Sequence, residues 1–242
     1  MTPLQIIGMP HSSYVWVVRM VCEEKRVPYE LVPAGLLSLE ILAIHPFGKM
    51  PAMRHGDITL CESKAIATYI DKTFPGPKLI PEDSRVAAEV EQWVSLVNTT
   101  IDPCLIRTYV LGHLIPKDAD SPTSRAAIDG ALPVMRTQIA VLDRAVAATG
   151  YLAGNSFTLA DINLLPVLYF VQRFPEGRDM VQSAKRLAAY FARHSARPSY
   201  QASIPPPHTA EVVAAIRRSA LQRRSNPPAI PVSKPVGEHT RR

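Results

Sequence analysis

The hydrophobic period of this chain changes once, at Phe74-Pro75-Gly76-Pro77, and that change limits what can fold on either side of it. Upstream, short apolar runs alternate with punctuation. Leu4-Gln5-Ile6-Ile7 is stopped by Gly8 and Pro10, after which apolar residues recur at Val15, Val18, Val21 and Cys22, a strand giving way to a helix. Tyr29-Glu30-Leu31-Val32 follows Pro28 as a second strand, so the opening reads β-α-β, and a Leu-rich connector occupies 36–44. Residues 51–54 and 57–60 flank His55-Gly56 as a hairpin, and a helix from Ser63 carries Ile66, Tyr69 and Ile70 to the Phe74-Pro75 stop. Downstream, 86–112, 124–149, 158–174 and 178–194 all have helical spacing and no strand pattern returns. The expected organisation is an α/β unit over 1–74, a linker over 75–85, an all-helical domain over 86–204 and a tail over 205–242.

Charge is distributed just as unevenly. The net +6 suggests a polyanion partner until it is located: from Pro205 onward there are seven basic residues against two acids, whereas the first 204 residues carry 20 basic and 19 acidic side chains. The tail also holds Pro205-Pro206-Pro207 and Pro227, Pro228, Pro231 and Pro235, which remove backbone donors and favour solvated chain. It reads as a largely disordered solubilising extension, with a short basic helix over 209–224 and an arm for nucleic acid or an anionic surface as the alternative.

The body, by contrast, has apolar material for a core, since 47% of the chain is hydrophobic. No run approaches the roughly 18 apolar residues of a membrane span, and Met1-Thr2-Pro3-Leu4 does not open a signal peptide. The three cysteines, Cys22, Cys61 and Cys104, form no C-x-x-C pair. They predict free thiols in a reducing cytoplasm, with neither a disulfide framework nor a metal site.

One helix start is explicit. Thr158-Leu159-Ala160-Asp161 places a hydroxyl at the N-cap and a carboxylate three residues on, with Phe157 and Ile162 at the flanking apolar positions.

Several stretches, taken together and in order, resemble the cytosolic glutathione transferases. They are Gly8-Met9-Pro10-His11-Ser12, then His45-Pro46-Phe47-Gly48-Lys49-Met50-Pro51-Ala52, then Leu60-Cys61-Glu62-Ser63-Lys64-Ala65-Ile66, and finally Gly154-Asn155-Ser156-Phe157-Thr158-Leu159-Ala160-Asp161. The likeness covers roughly residues 4 to 200 and falls nearest the serine-type members. It implies a thioredoxin-like domain followed by a helical domain, usually dimeric, that binds glutathione as co-substrate and transfers it to a hydrophobic electrophile. A non-catalytic ligand-binding or interaction protein, and a glutathione-dependent isomerase or dehalogenase, share the same fold.

The resemblance assigns roles residue by residue. Ser12, ahead of the first helix, matches the serine that donates a hydrogen bond to the glutathione sulfur, where a helix N-terminus also favours thiolate. Ser13 and Tyr14 are its neighbours and no cysteine stands here, which argues against thiol–disulfide chemistry. Pro51 matches a proline that follows a cis peptide, leaving the Met50 backbone to pair with the extended tripeptide. Glu62 and Ser63, at a strand-to-helix junction, match the groups for the γ-glutamyl ammonium and carboxylate; by themselves they also read as a helix cap and its neighbouring acid. Lys49 offers a cation to a glutathione carboxylate. Met9, Pro10, His11, Trp93, Arg107 and Tyr109 are candidates for the electrophile pocket, Trp93 also serving as core. Two departures stand out: the connector from Val32 to Pro46 is short, and His45 stands where asparagine is common.

Overall fold

The computed structural model describes residues 3–115, 122–207, 209 and 211–214, with backbone alone for 122–124. The first strand, β1 (Leu4–Ile7), runs parallel to β2 (Tyr29–Val32) through a crossover helix, α1 (Ser13–Lys25). After the short α2 (Leu39–Leu42) come β3 (Ala52–His55) and β4 (Ile58–Cys61), an antiparallel hairpin that completes a sheet of order β2-β1-β3-β4. The two-residue period of the strands sorts the core: Ile6 and Met53 face α1 and α3 (Ser63–Thr73), whereas Ile7 and Ala52 pack on the opposite face with Ile41 of α2.

The second half is helical: α4 (Ser84–Leu96), α5 (Leu111–Leu114), α6 (Pro122–Ala145), α7 (Leu159–Val171), α8 (Pro175–Ser183), α9 (Lys185–Ser195) and α10 (Pro198–Ser203). Helix α7 is the central post; twelve of its residues are buried, and its Thr158–Asp161 capping box is formed as the sequence indicates. Asp161 also receives the Leu152 amide at 2.9 Å and the Tyr190 hydroxyl at 2.8 Å, so one buried carboxylate ties a loop, a cap and α9 together. The architecture is therefore a thioredoxin-like β/α domain followed by a helical domain.

Three expectations need correction. The helix expected over 178–194 is two helices, broken where Ala184 takes φ −81° and ψ 85°. The helix expected over 86–112 loses α-helical winding after Leu96: Val97–Ile101 and Pro103–Val110 are wound as π-helix, with the Asp102 amide bonded to the Val97 carbonyl and the Leu111 amide to the Ile106 carbonyl. Pro103 has no N–H for an i−4 carbonyl, so the ladder rewinds around it. Helix α10 lies in a stretch expected to contain no separate element. Of the tail, Thr209 and the helical turn 211–214 are described; the expected disorder and the rest of the expected basic helix lie outside the described residues.

The 75–85 segment is pinned. Lys25 and Asp71, both buried, pair at 3.2 Å, and Lys25 Nζ also reaches the Pro77 carbonyl. Asp71 in turn accepts the Leu79 amide, while the Leu79 carbonyl accepts the Leu159 amide, which fastens the segment to the start of α7. Across this join the core is continuous: Trp16 of α1 meets Tyr169, Phe170 and Tyr200 at ring separations of 5.0, 6.0 and 5.0 Å. Among the described residues no helix is long and apolar enough to cross a membrane.

Candidate active site

Strand register gathers the sequence-predicted residues at one end of the sheet. Ile7, the last residue of β1, pairs with Ala52, the first of β3, and Ala52 pairs with Cys61, the last of β4. Segments 8–12, 49–51 and 62–63 therefore leave the sheet from the same end. Gly8 makes the close approach: a Cβ there would stand 2.6 Å from Val15 Cγ2 and 3.1 Å from Met50 Cβ, at φ +151°. The Met9 amide consequently lies 3.3 Å from Met50 Sδ, and the Met50–Pro51 peptide is cis.

Ser12 is the N-cap of α1, with Oγ accepting the Val15 amide at 3.4 Å. A hydroxyl that accepts from the helix still has its own hydrogen to donate outward, and it sits at the positive end of a 13-residue helix. Ser13 is buried at 7% exposure, which leaves Ser12 as the accessible hydroxyl of the pair.

Tyr14 is engaged elsewhere. Its hydroxyl meets Asp102 and Arg107, and burial, with the Asp102 charge, pushes its pKa up to about 12, so it stays protonated. Arg107 lies 5.3 Å over the Tyr14 ring and grips Asp102 through Nε at 2.7 Å and Nη2 at 3.3 Å. The pairing depends on the π-winding. Residues five apart share a face of a π-helix but are rotated well apart on an α-helix.

Glu62 enters α3 at φ +69° with its side chain largely exposed, and Ser63, the first residue of α3, is buried at 6% exposure. Buried His45 aims the acid. Its Nδ1 accepts the Phe47 amide at 3.1 Å, so Nε2 carries the hydrogen and donates to Glu62 Oε1 at 3.3 Å. Lys49, between His45 and the cis peptide in sequence, is exposed. Sequence reasoning noted His45 only as a departure; the partner it serves lies 17 positions on, across a loop.

The electrophile-pocket candidates separate. Met9, Pro10 and His11 lie on the loop leading to Ser12, and Arg107 lies over the first turn of α1. Burial lowers the His11 pKa, while the Pro207 and Pro206 carbonyls against the ring act to raise it, so the chain leaving α10 passes beside the loop that bears Ser12. Tyr109 does not line this space: it is fully buried, accepts the Gly177 amide at 2.8 Å and donates to Glu176 at 3.1 Å, work that seats α8. Its pKa is pushed up to about 12 by burial. Trp93 packs against the main core.

Comparison with known proteins agrees with this layout. Residues 6–78 match the model of the glutathione S-transferase N-terminal domain, and 104–198 that of its C-terminal domain. The chain is 31% identical over 221 residues to glutathione S-transferase 3 of Zea mays, covering 86% of this chain and 98% of that protein. It is 28% identical to glutathione S-transferase 1 of Triticum aestivum, over 83% and 93% of the two chains. Among solved structures, glutathione transferase F7 of Populus trichocarpa superposes with a TM-score of 0.75 at 29% identity, covering 83% of this chain and 97% of that one. A theta-class enzyme of Xanthomonas axonopodis pv. citri, solved with glutathione bound, superposes at 0.71 with 26% identity, over 86% and 100%. The chain belongs to the glutathione S-transferase family, close to its plant phi-class members.

Proposed function

We propose that the protein is a serine-type glutathione transferase, which holds glutathione as thiolate and conjugates it to a hydrophobic electrophile. The observation that carries this reading is the convergence, at one end of the sheet, of Ser12 at a helix N-cap with the 49–51 and 62–63 segments. Met50 offers backbone groups to the extended cysteinyl unit. The α3 N-terminus with Ser63 takes the γ-glutamyl carboxylate, Glu62 takes the ammonium, and Lys49 takes a carboxylate of the tripeptide.

Ser12 donates to the sulfur, and the α1 dipole adds to the preference for the anion, so the thiol proton is released to solvent. The thiolate then attacks an electrophilic carbon: a C–S bond forms, and in a substitution the leaving group departs with its bonding pair. The reading includes a cytoplasmic homodimer, for which Phe47, 62% exposed, and Leu39, 83% exposed, are apolar surface that a second copy would cover.

An ultraviolet difference titration with glutathione at neutral pH tests it. A thiolate band should appear on binding and be lost in Ser12→Ala, with sedimentation of the same sample giving a dimer mass. Binding without thiolate in the unaltered protein would instead indicate a carrier, no binding would leave only the fold, and a monomer would remove the dimer.

A further inference from the structure

Arg107 sits on the wall of the helical domain that faces the first turn of α1, and its surroundings are unusual for a structural ion pair. Its partner Asp102 is almost sealed, at 5% side-chain exposure, whereas the Arg107 side chain remains 47% exposed. The neighbouring residues of the π-wound stretch, Leu105, Ile106, Tyr109 and Val110, all point into the core. The guanidinium is thus a fork fixed from behind. Asp102 takes Nε and one side of Nη2, the Tyr14 hydroxyl meets both groups, and the Nη1 donors lie on the edge that Asp102 does not cover. Were the pair needed only to close the domain junction, apolar residues of similar size would serve as well or better. A guanidinium pre-aligned by a buried carboxylate, on a side chain that stays half exposed, is suited to a planar oxyanion.

From this geometry we infer that Arg107 is a specificity residue of the second-substrate pocket and that the preferred electrophiles carry a carboxylate. The inference rests on the glutathione transferase reading. The anion is not one of glutathione's own, whose carboxylates are assigned to Ser63, the α3 N-terminus and Lys49 in the other domain. The carboxylate docks on the outer edge of the Arg107 fork, which orients the electrophile with its reactive carbon toward the thiolate at Ser12.

Steady-state rates of the full chain at saturating glutathione test the inference, using a chloronitrobenzoate with its carboxylate para to the chlorine and the corresponding benzamide. In both, the thiolate adds to the chlorine-bearing carbon, the C–S bond forms, the C–Cl bond breaks and chloride leaves with the bonding pair. With each rate divided by its uncatalysed rate, kcat/KM should favour the benzoate by about tenfold or more, carried in KM. Arg107→Met should abolish the preference and Arg107→Lys should keep part of it. Because Arg107→Met strands a buried carboxylate, the double change Asp102→Asn with Arg107→Gln keeps the spacing without charge and should also abolish the preference. Equal use of both compounds by an unaltered protein that shows the thiolate band would overturn the inference and spare the enzyme reading. So would a rise in the KM for glutathione alone in the Arg107 variants. Absence of the thiolate band would overturn both.

Discussion

His45 shows how a single residue can look like a departure in the sequence and acquire its reason from the fold. Asparagine offers one amide at this position; histidine offers two nitrogens on opposite sides of a ring, one taking the Phe47 amide and the other reaching Glu62. The Glu62 side chain is largely exposed, and His45 is what holds it among the described residues. His45→Ala should raise the KM for glutathione by up to about tenfold while kcat changes little, because one charge-assisted hydrogen bond orienting the carboxylate is lost and Ser12 is untouched. His45→Asn, with a donor and an acceptor, should recover part of the loss and guards against a general packing defect. An unchanged KM in the alanine variant would mean that Glu62 needs no tether. At this scale Ser12, Pro51 and Ser63 were legible through motif resemblance, because each lies at an end of an element that the hydrophobic pattern marks. The Asp102–Arg107 pair was not: a spacing of five has no meaning on an α-helix, and only the rewinding around Pro103 supplies one.

Helix α10 bears on the site through α1. Its six residues clamp α1, the helix that Ser12 caps, at two places. Trp16 Nε1 donates to Ser203 Oγ at 3.0 Å, and Arg197, immediately before α10, grips Glu24 through Nε and Nη2, both at 2.8 Å, while the Ser199 hydroxyl bonds the same carboxylate. Burial acts to raise the Glu24 pKa, but the Arg197 and Ser199 hydrogen bonds and the Arg197 charge outweigh it and hold the carboxyl below its ordinary value. A depressed carboxylate stabilises the fold above its unfolded pKa of about 4.3 and loses that contribution as pH falls through the native value. Glu24→Gln should therefore cost about 2 kcal/mol at neutral pH, read by denaturant unfolding, with the gap to the unaltered protein closing as the solution is acidified below about 4. A gap that persisted in acid would place the effect in packing instead. The hydrophobic pattern missed α10 because a six-residue helix between prolines gives too few turns to show a period. It likewise merged α8 with α9, where the bend at Ala184 is made without glycine or proline to mark it.

For the whole molecule, the division visible in the charge is also a division in what each part can do. The first 204 residues are close to neutral, and one continuous core runs from the sheet through α1 to α7 and joins the two domains. The tail carries the basic excess, and its first residues do not simply leave: the Pro206 and Pro207 carbonyls lie against His11, next to Ser12. Carbonyls that close necessarily shield the imidazole as well as accept from it, and the two effects oppose one another. Shielding lowers the His11 pKa and the carbonyl hydrogen bonds raise it, with the lowering dominant. Removing residues 208–242 should leave the His11 titration and the thiolate band as they are while weakening retention on heparin, because only the basic excess is lost. Removing residues 205–242 takes the prolines too, and the His11 pKa should then rise toward its ordinary value of about 6.5, followed by the ring proton shifts in NMR. A rise in the shorter deletion would mean that the basic residues, through their charge, set the His11 equilibrium. No rise in either would mean that the loop of Gly8 to Ser12 buries the ring by itself and that the chain beyond α10 has no part in the site.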